Sequence, residues 1–167
     1  MDKIKENIKI VEERLKNYSP VTIDYGKDMV TGFVNDINGN DLVIYYKKNE
    51  MVMTFGFQNA HFDVDDVESL IIHSEKYLTS EYSSVEFFSK TKDLFGGSRL
   101  TSTIDFSTID KIVECYSCNQ EKAKQGLYEF LKTTPVTIRA INFNNTVNKV
   151  VNVSYKNGEY IVDIIRD

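Results

Sequence analysis

Tryptophan is absent from this chain of 167 residues, and proline, cysteine and histidine occur only twice each. Two prolines and eight glycines leave no room for a long flexible linker. Two cysteines cannot make a disulfide framework. No run of about 18 apolar residues exists, so no helical membrane span is encoded. The opening MDKIKENIKIVEERLKN is charged throughout and unlike a signal peptide, which points to the cytoplasm. No basic stripe occurs either. Phosphate backbones are held by clustered Lys and Arg, so a nucleic-acid partner is not expected.

What is present is enough apolar material for a core and an uneven distribution of charge. Hydrophobic residues make up 41% of the chain, with ten Phe and ten Tyr among them. That fraction is too high for a disordered chain. The formal net charge is −5. Residues 54–86 carry seven acids (Asp63, Asp65, Asp66, Glu68, Glu75, Glu81 and Glu86) against Lys76 alone, a net of −6. The flanking stretches 1–53 and 87–167 sum to −1 and +2. A local excess of one sign bears on partner choice and solubility rather than on fold.

The hydrophobic spacing predicts an α+β fold in one compact domain over 1–167, with sub-units 1–57, 58–106 and 107–167. Ile4, Ile8, Val11 and Leu15 make one stripe of a helix over 2–17, ended before Pro20. A four-stranded antiparallel meander follows: a strand from Val21, then 29–37, 41–47 and one through Met51, Met53, Phe55 and Phe57. Asn38-Gly39 is a hairpin signal. A central strand–helix–hairpin comes next. The apolar parity switches near Gln58-Asn59, which predicts a bulge or break. Beyond it Asn59, His61 and Asp63 point away from the core. Asp65 is the expected cap of an acidic helix over 65–78, with Glu68 completing a capping box. Residues 84–89 and those from Leu94 form the hairpin, and Gly96-Gly97 permits a bulge or tight turn. Two helices follow, one capped by Ser107 and one over about 120–133 with Gly126 inside it. A three-stranded antiparallel meander (136–142, 147–156, 159–166), closed by an Asn157-Gly158 turn, ends the chain. Leu131-Lys132 with Pro135-Val136-Thr137-Ile138 echoes Leu15-Lys16 with Pro20-Val21-Thr22-Ile23.

Few residues invite chemistry. Cys115-x-x-Cys118 lacks the second pair that a zinc site needs, and it lies late in a predicted helix rather than at a helix start. His61-x-Asp63-x-Asp65-Asp66 lacks the later ligand and glycine of a calcium loop. His73 lies on a helix flank with no nucleophile in its sequence context. No catalytic residue, metal ligand or cofactor is assigned. One alternative keeps His61 and Asp63 as the site of a small metal-dependent hydrolase. Another makes residues 20–57 a small-barrel scaffold that binds RNA.

The segments Phe57-Gln58-Asn59-Ala60-His61-Phe62-Asp63, Glu86-Phe87-Phe88 and Phe95-Gly96-Gly97, with the acidic helix between them, carry a resemblance. Over about residues 54–97 the chain resembles small bacterial proteins of the immunity type, which neutralise toxins used between bacteria. That resemblance implies a non-enzymatic protein that binds a protein partner. Together with the charge distribution it suggests a basic partner met by His61, Asp63, Asp66, His73 and Glu75, because an acidic surface steers and blocks a cationic cleft.

Overall fold

The computed structural model describes residues 2–34, 41–91, 94–100, 104–116, 120–144 and 149–166. Among them lie four helices and ten strands in two antiparallel sheets of five. The fold is α+β, with the N-terminal helix, the central strand, helix and hairpin, and the C-terminal meander in the expected order. The chain divides into two compact units, 1–82 with 142–146, and 83–141 with 147–167. These boundaries differ from those read from sequence. The strand before the acidic helix continues the first sheet, and the hairpin after it joins the C-terminal strands.

In the first unit, helix α1 (Asp2–Leu15) buries Asn7, Ile8, Val11 and Leu15. Strands β1 (Val21–Asp24), β2 (Met29–Phe33), β3 (Leu42–Tyr46), β4 (Glu50–Phe55) and β5 (Gln58–Asp63) follow in a simple meander, with β1 and β5 at its edges. The sheet is open between those edges. The expected Asn38-Gly39 turn lies outside the described residues. The central strand expected after the four-stranded meander joins it as a fifth member, because the chain makes a two-residue hairpin at Gly56-Phe57 that sets Gln58 opposite Phe55. Gly56 has a φ of 54°, which a side chain would resist. A tight hairpin reverses side-chain parity as a bulge would, which is why Gln58-Asn59 looked like a break within one strand.

Helix α2 (Val67–Leu78) buries Leu70, Ile71, Ser74, Tyr77 and Leu78. It lies over β3, β4 and β5 and packs beside α1. Phe33, Leu42, Ile44, Met51, Met53 and Phe55 meet the helices from the sheet, and all six are fully buried. The Phe55 and Tyr77 rings lie 5.0 Å apart.

In the second unit, β6 (Ser83–Ser89) pairs with β7 (Leu94–Leu100) on one side and with β8 (Val136–Ile141) on the other. Strands β9 (Lys149–Lys156) and β10 (Glu159–Arg166) complete the order β10-β9-β8-β6-β7. Helices α3 (Ile109–Glu114) and α4 (Glu121–Thr133) cover one face, where Phe87, Ile112, Leu127, Ile138 and Val151 share a core. Lys124 of α4 is 8% exposed and reaches Glu114 Oε2 at 2.7 Å, tying the two helices together. Asn157 and Gly158 both have positive φ, 53° and 82°, as the expected hairpin turn requires. α3 is capped by Thr108, whose side chain accepts from the Lys111 N–H. The expected cap was Ser107, one residue earlier.

The glycine pair does admit a bulge. The register between β6 and β7 shifts after Phe87, which faces Gly96, while Phe88 faces Leu94. Gly96 is needed for a second reason. A Cβ there would lie 2.5 Å from Cε2 of Tyr116, whose ring packs edge-on against Phe87 at 5.0 Å. Gly126, by contrast, is exposed on α4 with nothing within 4 Å of where a Cβ would stand. Gly96→Ala is therefore expected to lose roughly 1–3 kcal/mol through overpacking. Gly126→Ala is expected to gain about 0.5–1 kcal/mol in helix propensity. Urea denaturation of both variants checks the pair, and the opposite order of stabilities would contradict the packing described.

Candidate functional site

The turn from β5 into α2 begins with a buried amide. Asn7 of α1 is fully buried, and its Nδ2 donates to the Val64 carbonyl at 2.7 Å. Around that anchor the aspartates build the turn themselves. The Asp65 N–H donates to Asp63 Oδ1 at 2.9 Å, and the Asp66 N–H donates to the Asp63 carbonyl at 2.9 Å. Asp66 Oδ1 then accepts from the Ser69 N–H at 3.2 Å. Asp66, not Asp65, is the helix cap: its φ of −112° lies outside the helix, and its carboxylate meets the positive end of the helix dipole. The second unit repeats the device, with the Ser107 N–H donating to Asp105 Oδ1 at 2.8 Å just before the Thr108 cap. Lys111 also pairs with Asp105, and with Ser107 it holds that carboxyl well below the usual range.

Along β5 the side chains of Asn59, His61 and Asp63 are exposed, as their parity predicts. His61 Nδ1 lies 2.9 Å from Glu50 Oε2 on the neighbouring strand, and Lys47 Nζ lies 3.0 Å from the other oxygen. These hydrogen bonds, from His61 first and then Lys47, lower the Glu50 pKa. The pairing is present at neutral pH and is lost as pH falls through the lowered Glu50 value.

Two carboxylates of α2 are engaged from α1 and the turn just after it. Arg14 meets Glu68 through both terminal guanidinium nitrogens, Nη1 and Nη2, at 3.1 and 3.2 Å. The Tyr18 hydroxyl donates to Glu75 Oε1 at 3.2 Å, and the neighbouring carboxylate raises the phenol's pKa. Sequence reasoning missed Asn7, Arg14, Tyr18 and Glu50, because each acts on a residue far away along the chain. Nothing local to any of them signals it.

The five residues expected to share one surface do not do so. His61, Asp63 and Asp66 lie together at the β5 edge and the start of α2. Glu75 lies nine residues after Asp66, about two and a half helical turns, and so on the opposite side of α2, facing Tyr18. His73 is half-buried. Its ring packs against Phe62, Tyr77 and Tyr82 at 5.4 to 5.5 Å, so it belongs to an aromatic cluster rather than to an outward row.

Among the described residues, no three of His, Cys, Asp and Glu come together as a metal site. Asp63 Oδ1 is used by the turn, and His61 turns to Glu50. Cys115 is buried at the C-terminal end of α3, and its Sγ donates to the Lys111 carbonyl at 3.3 Å. Burial pushes its thiol up to about 11, the reverse of an activated cysteine. Cys118 lies outside the described residues. A cleft of about 390 Å³ in the second unit is lined by Phe88, Lys90, Thr137, Asn152 and Ser154, among others, and the only charged side chain in its lining is Lys90. Comparison with protein-family models, curated proteins and solved structures finds no match to this chain.

Two outcomes follow from this geometry. Asp66→Ala is expected to cost about 1 kcal/mol of stability in urea denaturation. Asp65→Ala, with no cap to lose, is expected to stay within about 0.5 kcal/mol. In a Cys118→Ser background, Cys115 is expected to resist iodoacetamide at pH 8 in the folded protein and to react promptly in denaturant. Rapid alkylation of the native protein would contradict a buried thiol with a raised pKa.

Proposed function

We propose that this chain is a non-enzymatic protein that binds and neutralises a basic protein partner, in the manner of bacterial immunity proteins. The contact surface is the β5 edge and the first turn of α2, with Asp63, Asp65 and Asp66 at its centre and the His61–Glu50 pair beside them. His73 and Glu75 are not part of it.

One observation carries this reading. Asp63, Asp65 and Asp66 are exposed, and among the described residues none of them has a cation within ion-pair distance, whereas Glu68 is matched by Arg14 and Glu50 by Lys47. The unmatched carboxylates sit in a unit with nine basic and fifteen acidic residues, a net of −6; the second unit has eleven basic and ten acidic, a net of +1. Such a field speeds encounter with a cationic surface and costs little in folding when the charges stay in water. Binding of this kind needs no nucleophile, base or metal.

The test uses affinity capture from the source cells, followed by binding of the captured protein to purified variants. Asp63→Asn with Asp65→Lys is expected to weaken binding by about tenfold or more while the variant stays folded. Glu12→Lys with Glu13→Lys on α1 is the control and is expected to change binding little. Equal loss in both double variants, or none in the first, would reject the surface. Capture of an acidic protein would reject the class of partner.

A further inference from the structure

We propose that β10 is a self-association edge, along which two copies of this chain pair antiparallel about a two-fold axis at Val162. Strand β10 is eight residues long and pairs only with β9. Ile161, Ile164 and Ile165 are 43%, 52% and 57% exposed on it, the densest run of exposed large apolar side chains in the described chain. The strand contains no proline and no lysine, two of the usual means by which an open edge is protected. Its end charges, Glu159 and Arg166, have no ion-pair partner among the described residues.

Symmetry selects the occupant and the register. Two antiparallel edge strands can be related by a two-fold axis normal to the sheet, which keeps every side chain on its own face. Tyr160, Val162 and Ile164 lie on the helix-covered face, opposite Tyr155, Val153 and Val151. Ile161 and Asp163 point to the other face, opposite Ser154 and Asn152. The register against β9 then skips Ile165, so that Arg166 faces Val150. With Val162 opposite its own copy, Tyr160 covers Ile164 of the second copy, and Ile161 lies beside Asp163. If Ile165 is skipped here as it is against β9, Glu159 comes to lie opposite Arg166. Both ends of the ladder then close with an ion pair on the same face. The neighbouring registers fail on charge. An axis at Asp163 sets two carboxylates opposite each other, and an axis at Ile161 sets Glu159 against Asp163. A second copy in the Val162 register therefore satisfies the two unpaired charges and covers the exposed Ile164.

Eight residues of edge pairing make a small interface, so a reversible dimer in the micromolar range is expected. Sedimentation of the full chain over a concentration series reads it directly. Arg166→Glu is expected to weaken self-association about tenfold or more, and Glu159→Arg with Arg166→Glu to restore it. Val162→Cys, with Cys115 and Cys118 both changed to Ser, is expected to give an oxidised dimer on a non-reducing gel. A wild-type chain that stays monomeric to millimolar concentration would overturn the proposal. A dimer indifferent to Arg166→Glu, or one that leaves the Val162→Cys chains uncrosslinked, would do the same.

Discussion

The hydrogen bond from Asn7 to the Val64 carbonyl is the contact on which the first unit's surface depends. It joins the first helix to the end of the last strand across 57 residues of chain. Asn7 is fully buried, so its amide has lost water and must recover partners inside. Its Nδ2 does so, with Met51 Sδ a weaker second acceptor at 3.5 Å, while Oδ1 has none. Such an arrangement is costly unless it fixes something. What it fixes is the carbonyl just before Asp65 and Asp66, and with it the angle at which the acidic turn leaves the sheet. From the same helix Arg14 reaches Glu68, and Tyr18, three residues past the helix end, reaches Glu75. α1 thus both seats α2 and neutralises its flank. The unmatched negative charge is left concentrated at the start of α2.

The second unit solves a different problem, that of covering one sheet face with two short helices. Gly96 removes a side chain so that Tyr116, just beyond α3, can lie against Phe87. Across the sheet, Glu86 is 2% exposed and accepts from Arg139 Nε at 2.7 Å on the adjacent strand. Arg139 also lies over the Phe88 ring, 4.7 Å from its centre. A buried carboxylate is tolerable only with such a partner. The starts of α2 and α3, one in each unit, are built by one device, an aspartate that accepts from the N–H two residues on and stands three residues before a separate capping side chain.

The strand and helix content was legible because its signals are local. Alternation, stripes and Asn-Gly or Pro punctuation act within a few residues. The errors have physical causes of the same kind. Asp65-Asp66 and Ser107-Thr108 each offer two adjacent capping residues, and only the backbone angles decide between them. The Gly56-Phe57 hairpin has no Asn-Gly signature, and its parity change is shared with a bulge. The candidate site was half legible. The exposure of His61 and Asp63 followed from strand parity. The separation of Glu75 from Asp66, and the withdrawal of His73 into an aromatic cluster, depend on where α1 and β5 sit around α2. No stretch of sequence near those residues encodes that placement.

If the unmatched carboxylates of β5 and α2 meet a cationic protein, attraction must act before contact and must be screened by salt. The decisive measurement is the association rate constant of the captured partner with the wild-type chain as ionic strength rises from low to physiological and above. A steep fall in that rate, with a dissociation rate that changes little, is expected for a steered acidic surface. A rate independent of salt would mean that the charge serves only to keep the first unit in solution, and that recognition lies elsewhere.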